Sequence, residues 1–425
     1  MMKAINILEN KDLEWSESVL PSISNNEVLI KITATSVNRA DVVQKNGLYP
    51  PPPGASNILG LECSGIIERI GKNVKNRKVG EEVCALLAGG GYAEYVSCPE
   101  VQAVPIPEGI NIVEASSLPE VYATCWLNLF LEANLLKNEK VLLHAGASGI
   151  GTAAIQLCRV FECETFVTAG SMEKVKFCTE LGASDGALRT EEPFKKIKEW
   201  SPDGVDIILD PVGGNYFEDN INVLSVDGRL VIIGLMGGAK SSINLGSVLM
   251  KRQKIIGSTI RARSLSIKGK IMKNLHEHVW PFFRTKEIKT CVHEILSIKD
   301  ANKAHEIMEN NQNIGKIIDL SKMLLFAPVA QTDVAKISLS DEVVINVTGV
   351  GNRRGVVKRI ASSASEATRT FIVEIEITNI DRSLKAGMSA EVGILVEKVQ
   401  AFSISPAHLA IGEDGSLKVK TVKNN

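Results

Sequence analysis

The stretch VLLHAGASGIG, residues 141–151, is the strongest structural signal in the chain. A short apolar strand pattern runs into glycines at positions 146, 149 and 151, and the helical pattern IGTAAIQLCRVF follows at once. Glycine at these places lets the backbone turn tightly and lets a pyrophosphate approach the free N–H groups of the helix N-terminus. The pattern predicts a dinucleotide-binding turn, with close packing of strand on helix as the alternative. The predicted turn consists of Gly146, Ala147, Ser148, Gly149, Ile150 and Gly151.

Outward from this turn, strand-then-glycine units recur in TFVTAG (165–170), VDIILDPVGG (205–214) and RLVIIGLMGG (229–238). Repeated β-α units with apolar strands predict a parallel, doubly wound sheet over residues 115–286. The sequence before residue 115 has strand patterns, as in EVLIKITATSVN (27–38). The later stretch that ends in NIGKIIDL is predicted to return to this N-terminal domain. We therefore assign 1–114 and 287–322 to one β-barrel-like domain, 115–286 to the α/β domain, and 324–425 to a separate all-β module.

The second β-α unit indicates which dinucleotide would bind. An NAD-binding sheet carries Asp or Glu about twenty residues after the glycine turn, but this chain reads VTAGSMEK there. Gly170 leaves room, Ser171 offers a hydroxyl and Lys174 a positive charge, a set suited to a 2′-phosphate and hence to NADPH. The alternative is that Ser171 caps the next helix and Lys174 is solvated.

Composition excludes several classes of protein. The 425 residues are 44% hydrophobic and 23% charged, with 48 Lys+Arg against 49 Asp+Glu, so nothing drives the chain generally toward nucleic acid or anionic membranes. No apolar run is long enough for a spanning helix, and the start lacks the features of a signal peptide, so we expect a cytoplasmic protein without membrane insertion. The eight cysteines form no C-x-x-C pair, which favours reduced, mostly buried thiols over disulfides or structural zinc.

Residues 1–320 resemble the medium-chain dehydrogenase/reductase superfamily, and within it the zinc-independent NADPH:quinone oxidoreductases of the tumour-suppressor-inducible group. The resemblance rests on SVNRADVVQKNGLYPPPPGASNILGLECSG, HAGASGIGTAAIQL, VTAGS, DPVGG, GLMGG and NIGKI. It implies a GroES-like catalytic barrel, an inserted Rossmann domain and a homodimer joined through the edges of the nucleotide-binding sheets. Zinc-dependent members have a cysteine at Asn38 and Gly-His-Glu at Gly60, Leu61 and Glu62, so the resemblance implies no metal site here.

The same resemblance implies roles for individual residues. Asn38 and Tyr49 would face the nicotinamide and the substrate carbonyl, whose oxygen gains charge during hydride transfer. Tyr49 packed on the proline loop, and Asn38 capping the helix that begins RADVV, are the alternatives. Arg189 stands where the family often has a tyrosine over the adenine, and would stack there or pair with the 2′-phosphate. The other implied cofactor contacts are Thr124, Gly213, Gly214, Leu235, Met236, Gly237, Arg261 and Lys316.

The tail from Met323 onward resembles a different family. GVVKRIASSASEATRTFIVEIEITNIDRSLKAGMSAEV is similar to the β-barrel of periplasmic adaptor (membrane fusion) subunits of bacterial efflux pumps. The lipoyl-like and hairpin portions that precede it in that family are absent. We weigh an accessory interaction module against the joining of two unrelated coding sequences near Met323, and the second is favoured because a partial barrel exposes strand edges.

The combined prediction is an NADPH-dependent, zinc-independent reductase that transfers hydride to quinones. A 2-alkenal or enoyl reductase on the same scaffold is the second enzymatic possibility. The rivals from other classes are a non-enzymatic NADPH- or RNA-binding protein and, for the tail, an efflux adaptor fragment. Nucleic acid is not expected as a partner, whereas a small quinone or enone is.

Overall fold

The computed structural model describes residues 1–320, 323–361, 364, 369–377, 384, 389–394, 409–411 and 417–419. It divides into two compact units, residues 1–322 and residues 323–425. Parts of the predicted module 324–425, among them most of the stretch beyond residue 394, lie outside the described residues, as do residues 321 and 322 of the predicted 287–322 segment.

The first unit contains fifteen strands among its described residues. They are β1 (Met2–Ile7), β2 (Leu13–Ser18), β3 (Glu27–Val37), β4 (Glu62–Ile70), β5 (Glu82–Leu86), β6 (Tyr95–Pro99), β7 (Ala103–Pro105), β8 (Lys140–His144), β9 (Glu164–Ala169), β10 (Asp185–Leu188), β11 (Val205–Asp210), β12 (Leu224–Ile232), β13 (Lys254–Gly257), β14 (Val292–Ser297) and β15 (Lys316–Leu320).

Its helices accompany the strands in alternation from the middle of the chain. They are α1 (Arg39–Lys45), α2 (Ile112–Ala115), α3 (Pro119–Cys125), α4 (Gly149–Val160), α5 (Met172–Leu181), α6 (Pro193–Trp200), α7 (Phe217–Val223), α8 (Leu245–Lys251), α9 (Leu265–His278), α10 (Trp280–Arg284) and α11 (Ala301–Glu309). A π-helical turn, Trp126–Glu132, extends α3, and short 3-10 turns lie at Glu100–Gln102, Gly214–Tyr216 and Ile298–Asp300.

The α/β part forms a six-stranded parallel sheet in the order β10-β9-β8-β11-β12-β13. Its central strands are apolar and buried, as Val141, Leu142 and Leu143 of β8 show with 0–1% exposure. The strand order reverses between β8 and β11, and ligands of such sheets bind beyond the carboxyl ends of the strands at that point. The predicted doubly wound Rossmann sheet is confirmed.

The second sheet combines strands from both ends of the first unit. Its order is β14-β15-β3-β4-β5-β7, with β6 also paired to β3, so the late strands β14 and β15 join strands from the chain's beginning. Antiparallel pairing of β15 with β3 places Ile317 opposite Val37 and therefore brings Lys316 close to Asn38. The predicted GroES-like barrel, completed by the returning chain, is confirmed as part of the fold.

The second unit is an antiparallel five-stranded sheet in the order β16-β19-β18-β17-β20, followed by a two-stranded hairpin β21-β22. Its elements are β16 (Met323–Ala330), α12 (Gln331–Val334), β17 (Glu342–Val347), β18 (Gly351–Ile360), β19 (Thr370–Ile377), β20 (Ala390–Ile394), β21 (Leu409–Ile411) and β22 (Leu417–Val419). Alternate residues of β17, Val343, Ile345 and Val347, are buried in its core. The predicted all-β character of the tail is confirmed.

Candidate functional site

The glycine turn between β8 and α4 is shaped by backbone crowding. Gly151 packs so closely on the preceding turn that a Cβ there would lie 2.4 Å from the Gly146 carbonyl oxygen and 2.6 Å from that of Ala145. Ser148 caps α4, its Oγ accepting a hydrogen bond from the Gly151 N–H at 3.0 Å. The open N-terminus of the twelve-residue helix α4 is therefore available to a diphosphate, and the turn fits the predicted nucleotide.

A buried polar chain holds this turn against the loop that follows β11. His144, the last residue of β8, contacts Thr168 Oγ1 through Nδ1 at 2.9 Å and Asn220 Oδ1 through Nε2 at 2.8 Å. Asn220 Nδ2 in turn donates to Asp210 Oδ2, whose carboxylate accepts the N–H groups of residues 212 and 213. Since Asn220 Oδ1 only accepts, Nε2 carries the imidazole proton and Nδ1 accepts from the threonine hydroxyl.

The predicted glycine Gly213 lies in this loop with φ +77, a left-handed conformation that favours glycine. The loop packs by its backbone on the loop after β12: the Met236 N–H donates to the Pro211 carbonyl at 3.2 Å and the Gly237 N–H to the Val212 carbonyl at 2.6 Å. Gly214 N–H donates to the carbonyl of residue 238. The predicted residues Leu235 and Met236 are 56% and 51% exposed beside this crevice.

The predicted 2′-phosphate site lies at the carboxyl ends of β9 and β10. A Cβ on Gly170 would lie 3.8 Å from the Arg189 guanidinium carbon, so this arginine covers the glycine. Ser171 accepts the Lys174 N–H at 3.3 Å and thus caps α5, the alternative allowed by the sequence. The Lys174 ammonium donates to the Asn311 carbonyl at 2.6 Å, and burial with the nearby Arg189 charge lowers its pKa. Two cations therefore adjoin the place where an NAD-binding protein has an acid.

A buried ionic cluster lies beside the glycine turn, and Glu62 is at its centre. Glu62 is fully buried, and its Oε1 accepts hydrogen bonds from Asn38 Nδ2 at 2.9 Å, from the Lys316 ammonium at 2.7 Å and from Ser36 Oγ. Lys316 also donates to Asn38 Oδ1 at 2.6 Å and to the Val37 carbonyl. Lys316, one of the implied cofactor contacts, thus fixes the Asn38 amide from one side while Glu62 fixes it from the other.

Asn38 also begins α1, as its alternative interpretation expects. Its backbone N–H donates to Asp41 Oδ2 at 2.8 Å in a capping box, and Asp41 Oδ1 accepts the N–H of Gly60 at 2.9 Å. Asp41 is completely buried, which raises its pKa to about 6. The cap and the ionic cluster together give the Asn38 side chain a single orientation.

Tyr49 and Arg261 form the rim beside this cluster. The guanidinium of Arg261 lies over the Tyr49 ring at 5.3 Å, and Nη1 donates to the Tyr49 carbonyl at 3.2 Å. Arg261 Nε donates to the Ala88 carbonyl at 2.8 Å, while Nη2 is buried without a partner among the described residues. Burial and the nearby Glu120 charge raise the pKa of Tyr49, so its hydroxyl keeps its proton at neutral pH.

The two halves of the site meet at the glycine turn. A Cβ on Gly149 would lie 2.5 Å from Lys316 Cδ and 3.2 Å from Val121 Cγ1 of α3. The Gly315 N–H donates to the Ala147 carbonyl at 2.8 Å. Thr124, on the same helix as Val121, is 7% exposed. Asn38, Lys316 and the turn are therefore gathered at one place, and α3, the helix that carries Thr124, packs on the turn through Val121. Gly170, Lys174 and Arg189 belong to the next β-α units, at the ends of β9 and β10 and the start of α5.

Several members of the site escaped prediction from the sequence. Asp41 and Glu120 are buried carboxyls that carry no motif, and only the folded chain reveals what surrounds them. His144 does lie in the quoted turn sequence, and a histidine ending a buried strand was a usable signal. Glu62, which the sequence shows only as a remnant of the zinc-site motif, accepts hydrogen bonds from Asn38 and Lys316.

The position where zinc-dependent relatives hold their metal is occupied here by a different chemistry. The Lys316 ammonium lies between Glu62 Oε1 and Asn38 Oδ1, so a zinc ion would meet a cation and an amide where thiolate or imidazole ligands are needed. Within the part of the chain that the structure describes, no three His, Cys, Asp or Glu side chains are grouped to hold a metal. These residues do not fit a zinc ion.

Comparison with known families gives three matches. The alcohol dehydrogenase GroES-like domain matches residues 24–108, the zinc-binding dehydrogenase family matches residues 149–276, and the CusB-like β-barrel domain matches residues 325–397. The last match agrees with the resemblance of the tail to efflux adaptors. No helix among the described residues is long and apolar enough to cross a membrane.

Similar proteins cover about 70–75% of the chain. A rat quinone oxidoreductase is 28% identical over 330 residues, covering 75% of this chain and 97% of the relative. A zebrafish synaptic vesicle membrane protein VAT-1 homolog is 29% identical over 315 residues, covering 70% of this chain but only 65% of its own length. The Escherichia coli quinone oxidoreductase solved with NADPH has the same fold, with a TM-score of 0.67 at 24% identity over 75% of this chain and 99% of that one.

Proposed function

Residues 1–320 belong to the medium-chain dehydrogenase/reductase superfamily, and from this premise we propose that the chain is an NADPH-dependent, zinc-independent quinone oxidoreductase. The observation that carries the proposal is the contact between the glycine turn and the ionic cluster, where Gly149 abuts Lys316 and Lys316 holds Asn38. A nucleotide on the turn would have its reactive end directed at an amide with a fixed orientation. Quinone reduction in the rat relative supports the choice of acceptor.

The residues that would hold the cofactor fall into two groups. The turn Gly146–Gly151 offers backbone N–H groups and a helix N-terminus to a diphosphate. Lys174 and Arg189 offer charge to a 2′-phosphate, which favours NADPH over NADH. When bound, NADPH supplies a hydride, that is, two electrons and one proton, from its nicotinamide ring.

The protein's own part in the reaction is to hold and polarise the acceptor. Tyr49 keeps its phenolic proton and can donate it in a hydrogen bond to a quinone oxygen as negative charge grows there. Asn38 is held by Glu62 and Lys316, so the amide loses no orientational freedom when a substrate binds. The hydride brings one of the two hydrogens of the hydroquinone, and the solvent supplies one proton for the other, since protons on oxygen exchange readily with water.

We propose a homodimer through the edge of the α/β sheet. Strand β13 is the last strand of the sheet order, and Ile255 on it is 40% exposed. Leu249 and Met250 of the preceding helix are 75% and 77% exposed, an apolar surface that a second copy would cover. Light scattering of the purified full chain tests this: twice the chain mass is expected, and a monomer at all concentrations contradicts it.

Calorimetry tests the cofactor assignment directly. Titrating NADPH and NADH into the full-length protein is expected to show tighter binding of NADPH by about tenfold or more, because a charge-assisted hydrogen bond contributes ~1.5–3 kcal/mol. The folded state is checked in parallel by circular dichroism. Absence of NADPH binding by folded protein would overturn the proposed function.

A further inference from the structure

We infer that His144 is a positioning residue of the cofactor site, and that its imidazole fixes the loop against which the nicotinamide end of the cofactor binds. The inference rests on the proposed function, because it takes NADPH as the ligand of the glycine turn. It goes beyond that function by assigning the two ends of the cofactor to different supports. The adenosine end depends on the glycine turn and the sheet, whereas the nicotinamide end depends on one buried side chain.

His144 lies where the two halves of the parallel sheet meet. It is the last residue of β8, it is only 3% exposed, and the glycine turn begins two residues later. Strand β8 has β9 on one side and β11 on the other, and the strand order reverses between β8 and β11. A dinucleotide crosses the crevice at such a reversal. His144 therefore lies between the places where the two ends of a bound dinucleotide would rest.

The backbone ladder is longer on one side of His144 than on the other. Toward β9 it reaches His144 itself, which is in register with Thr168. Toward β11 it ends one residue earlier, with Leu143 opposite Leu209. At the level of His144, the loop that follows β11 is therefore joined to β8 by side chains and not by backbone pairing.

The imidazole supplies that side-chain link through Nε2. Nε2 donates to Asn220 Oδ1 at 2.8 Å, and Asn220 Nδ2 donates to Asp210 Oδ2 at 3.1 Å. The fully buried carboxylate of Asp210 accepts the N–H groups of Val212 at 2.7 Å and of Gly213 at 3.1 Å. One continuous chain of hydrogen bonds thus runs from the end of β8 to loop 211–214.

A ring contact holds the same region from a second direction. The Tyr216 ring belongs to the 3-10 turn that follows the loop, and its centroid lies 4.8 Å from that of the imidazole. The Phe194 ring of α6 lies 5.8 Å away on an edge contact. Burial lowers the pKa of His144, so the imidazole is neutral at pH 7 and Nε2 carries its single proton.

Loop 211–214 extends this fixed arrangement to the nicotinamide end. The loop after β12 packs on it by backbone hydrogen bonds, from the Met236 N–H to the Pro211 carbonyl at 3.2 Å and from the Gly237 N–H to the Val212 carbonyl at 2.6 Å. Met236, an implied neighbour of the nicotinamide, belongs to this second loop. Breaking the imidazole link therefore loosens both loops beside the nicotinamide and leaves the glycine turn and the 2′-phosphate side in place.

Two substitutions of His144 remove one hydrogen bond each. An asparagine amide reaches the position of Nδ1, so His144→Asn keeps the contact with Thr168 and loses the contact with Asn220. A glutamine amide reaches the position of Nε2, so His144→Gln keeps the Asn220 contact and loses the other. Since backbone pairing with Thr168 remains in both variants, only His144→Asn releases the loop.

Calorimetry with two ligands measures the nicotinamide contribution. NADPH and 2′-phospho-ADP-ribose, which lacks the nicotinamide ring, are titrated into the full-length protein. His144→Asn is expected to weaken NADPH binding about tenfold or more, because a buried hydrogen-bond acceptor is left without its donor. Binding of 2′-phospho-ADP-ribose should change by less than about threefold, which also shows that the variant is folded. His144→Gln should recover NADPH affinity to within about threefold of the wild type.

The same result is expected from the other end of the link. Asn220→Leu has a similar volume but removes both hydrogen bonds of the amide, so NADPH affinity should fall about tenfold or more while 2′-phospho-ADP-ribose affinity is kept. Asn222→Leu, exposed on the same helix, and His293→Asn, exposed in β14, are the matched controls and keep both affinities. Because Asn220→Leu leaves His144 in place, its agreement with His144→Asn excludes a local defect of β8.

Nuclear magnetic resonance of protein labelled with 15N-histidine tests the link without a ligand. The Nε2–H tautomer is expected for His144, whose signals are assigned by their loss in His144→Gln. An Nδ1–H tautomer would leave Nε2 unable to donate to Asn220 Oδ1, and would overturn the inference.

The outcomes separate this inference from the proposed function. Equal loss of both ligands in His144→Asn, or equal loss of NADPH affinity in His144→Asn and His144→Gln, would show a general structural role and overturn the inference. Unchanged NADPH affinity in His144→Asn would overturn it as well. All three results leave quinone reduction by the wild type standing. If the folded wild type binds neither ligand, the proposed function is overturned and the inference fails with it.

Discussion

The glycine turn and the ionic cluster lie side by side, but the turn consists of backbone groups and the cluster of side chains. The turn is six consecutive residues, 146–151, and works through backbone N–H groups and the absence of side chains. The cluster joins side chains of Ser36, Asn38, Glu62 and Lys316, which are up to 280 positions apart in the chain. The difference indicates that cofactor binding depends on backbone room, whereas orientation of the reacting groups depends on matched buried charges.

Breaking the buried charge pair should have the largest effect. Lys316→Met leaves the Glu62 carboxylate buried without its cation, and we expect the free energy of unfolding to fall by about 3–5 kcal/mol. Urea unfolding measures this. Lys303→Met is the matched control, because Lys303 lies 3.0 Å from Glu294 on the surface with side chains 52% and 39% exposed. That exposed pair should cost less than about 1 kcal/mol.

The double variant Lys316→Met with Glu62→Gln sharpens the same test. Removing both charges should recover part of the lost stability, because no uncompensated buried charge remains. If the double variant were less stable than Lys316→Met, the ion pair would not be the source of the loss.

The second-largest effect is expected from adding a side chain to the glycine turn. The Cβ of Gly151→Ala would lie 2.4 Å from the Gly146 carbonyl oxygen, which is backbone and cannot rotate away. Because the turn must shift to admit this Cβ, we expect the free energy of unfolding to fall by about 1–3 kcal/mol. We expect NADPH affinity to fall about 100-fold, equivalent to ~2.7 kcal/mol. Gly257→Ala, where a Cβ meets nothing within 4 Å, is the control. Calorimetric titration that finds equal affinity in both variants would contradict the assignment of the turn.

Changing the charge at the edge of β10 should have a smaller and more selective effect. Arg189→Ala is expected to weaken NADPH binding about tenfold while leaving NADH binding nearly unchanged, since only the 2′-phosphate needs the cation. Lys176→Ala, on the exposed face of α5, serves as a control of equal charge change. Equal weakening of both cofactors by Arg189→Ala would place the arginine elsewhere on the nucleotide.

The smallest expected effect is a change in how the free energy of unfolding depends on pH when the buried Glu120 is replaced. In the folded state Glu120 keeps its proton up to about pH 8, whereas in the unfolded chain an ordinary glutamate ionises near pH 4.3. Its favourable contribution is thus present below that lower value and is lost as the pH rises toward 8. Glu120→Gln should therefore become more stable relative to wild type by about 1 kcal/mol between pH 7 and pH 8, measured by urea unfolding.

The sequence predicts the local glycine turn well and the long-range ionic cluster poorly. The glycine turn is local, and glycine spacing between a strand and a helix is legible without the fold. Asn38, Tyr49 and Lys316 were found through a family resemblance, yet the sequence did not show that Lys316 contacts Asn38 and Glu62. That contact depends on the pairing of β15 with β3, which joins the two ends of the unit.

The buried acids are the clearest gap. Nothing in PEVYATC marks Glu120 as unusual, because its properties come from burial and from Glu62, which lies 58 positions earlier. Asp41 is similar: its backbone contacts with Asn38 and Gly60 appear only after folding. Long-range packing, which local patterns do not encode, decides the chemistry of both groups.

Steady-state oxidation of NADPH by the chelator-treated full-length protein, with 9,10-phenanthrenequinone as acceptor and NADH as the comparison, tests the central claim most directly. If hydride transfer takes place where the glycine turn meets the ionic cluster and needs no zinc, quinone-dependent turnover will survive the chelator. We also expect kcat/KM to be at least about tenfold higher with NADPH than with NADH. Folded protein that binds NADPH but turns over no quinone, or whose turnover disappears with the chelator and returns with zinc, would contradict it.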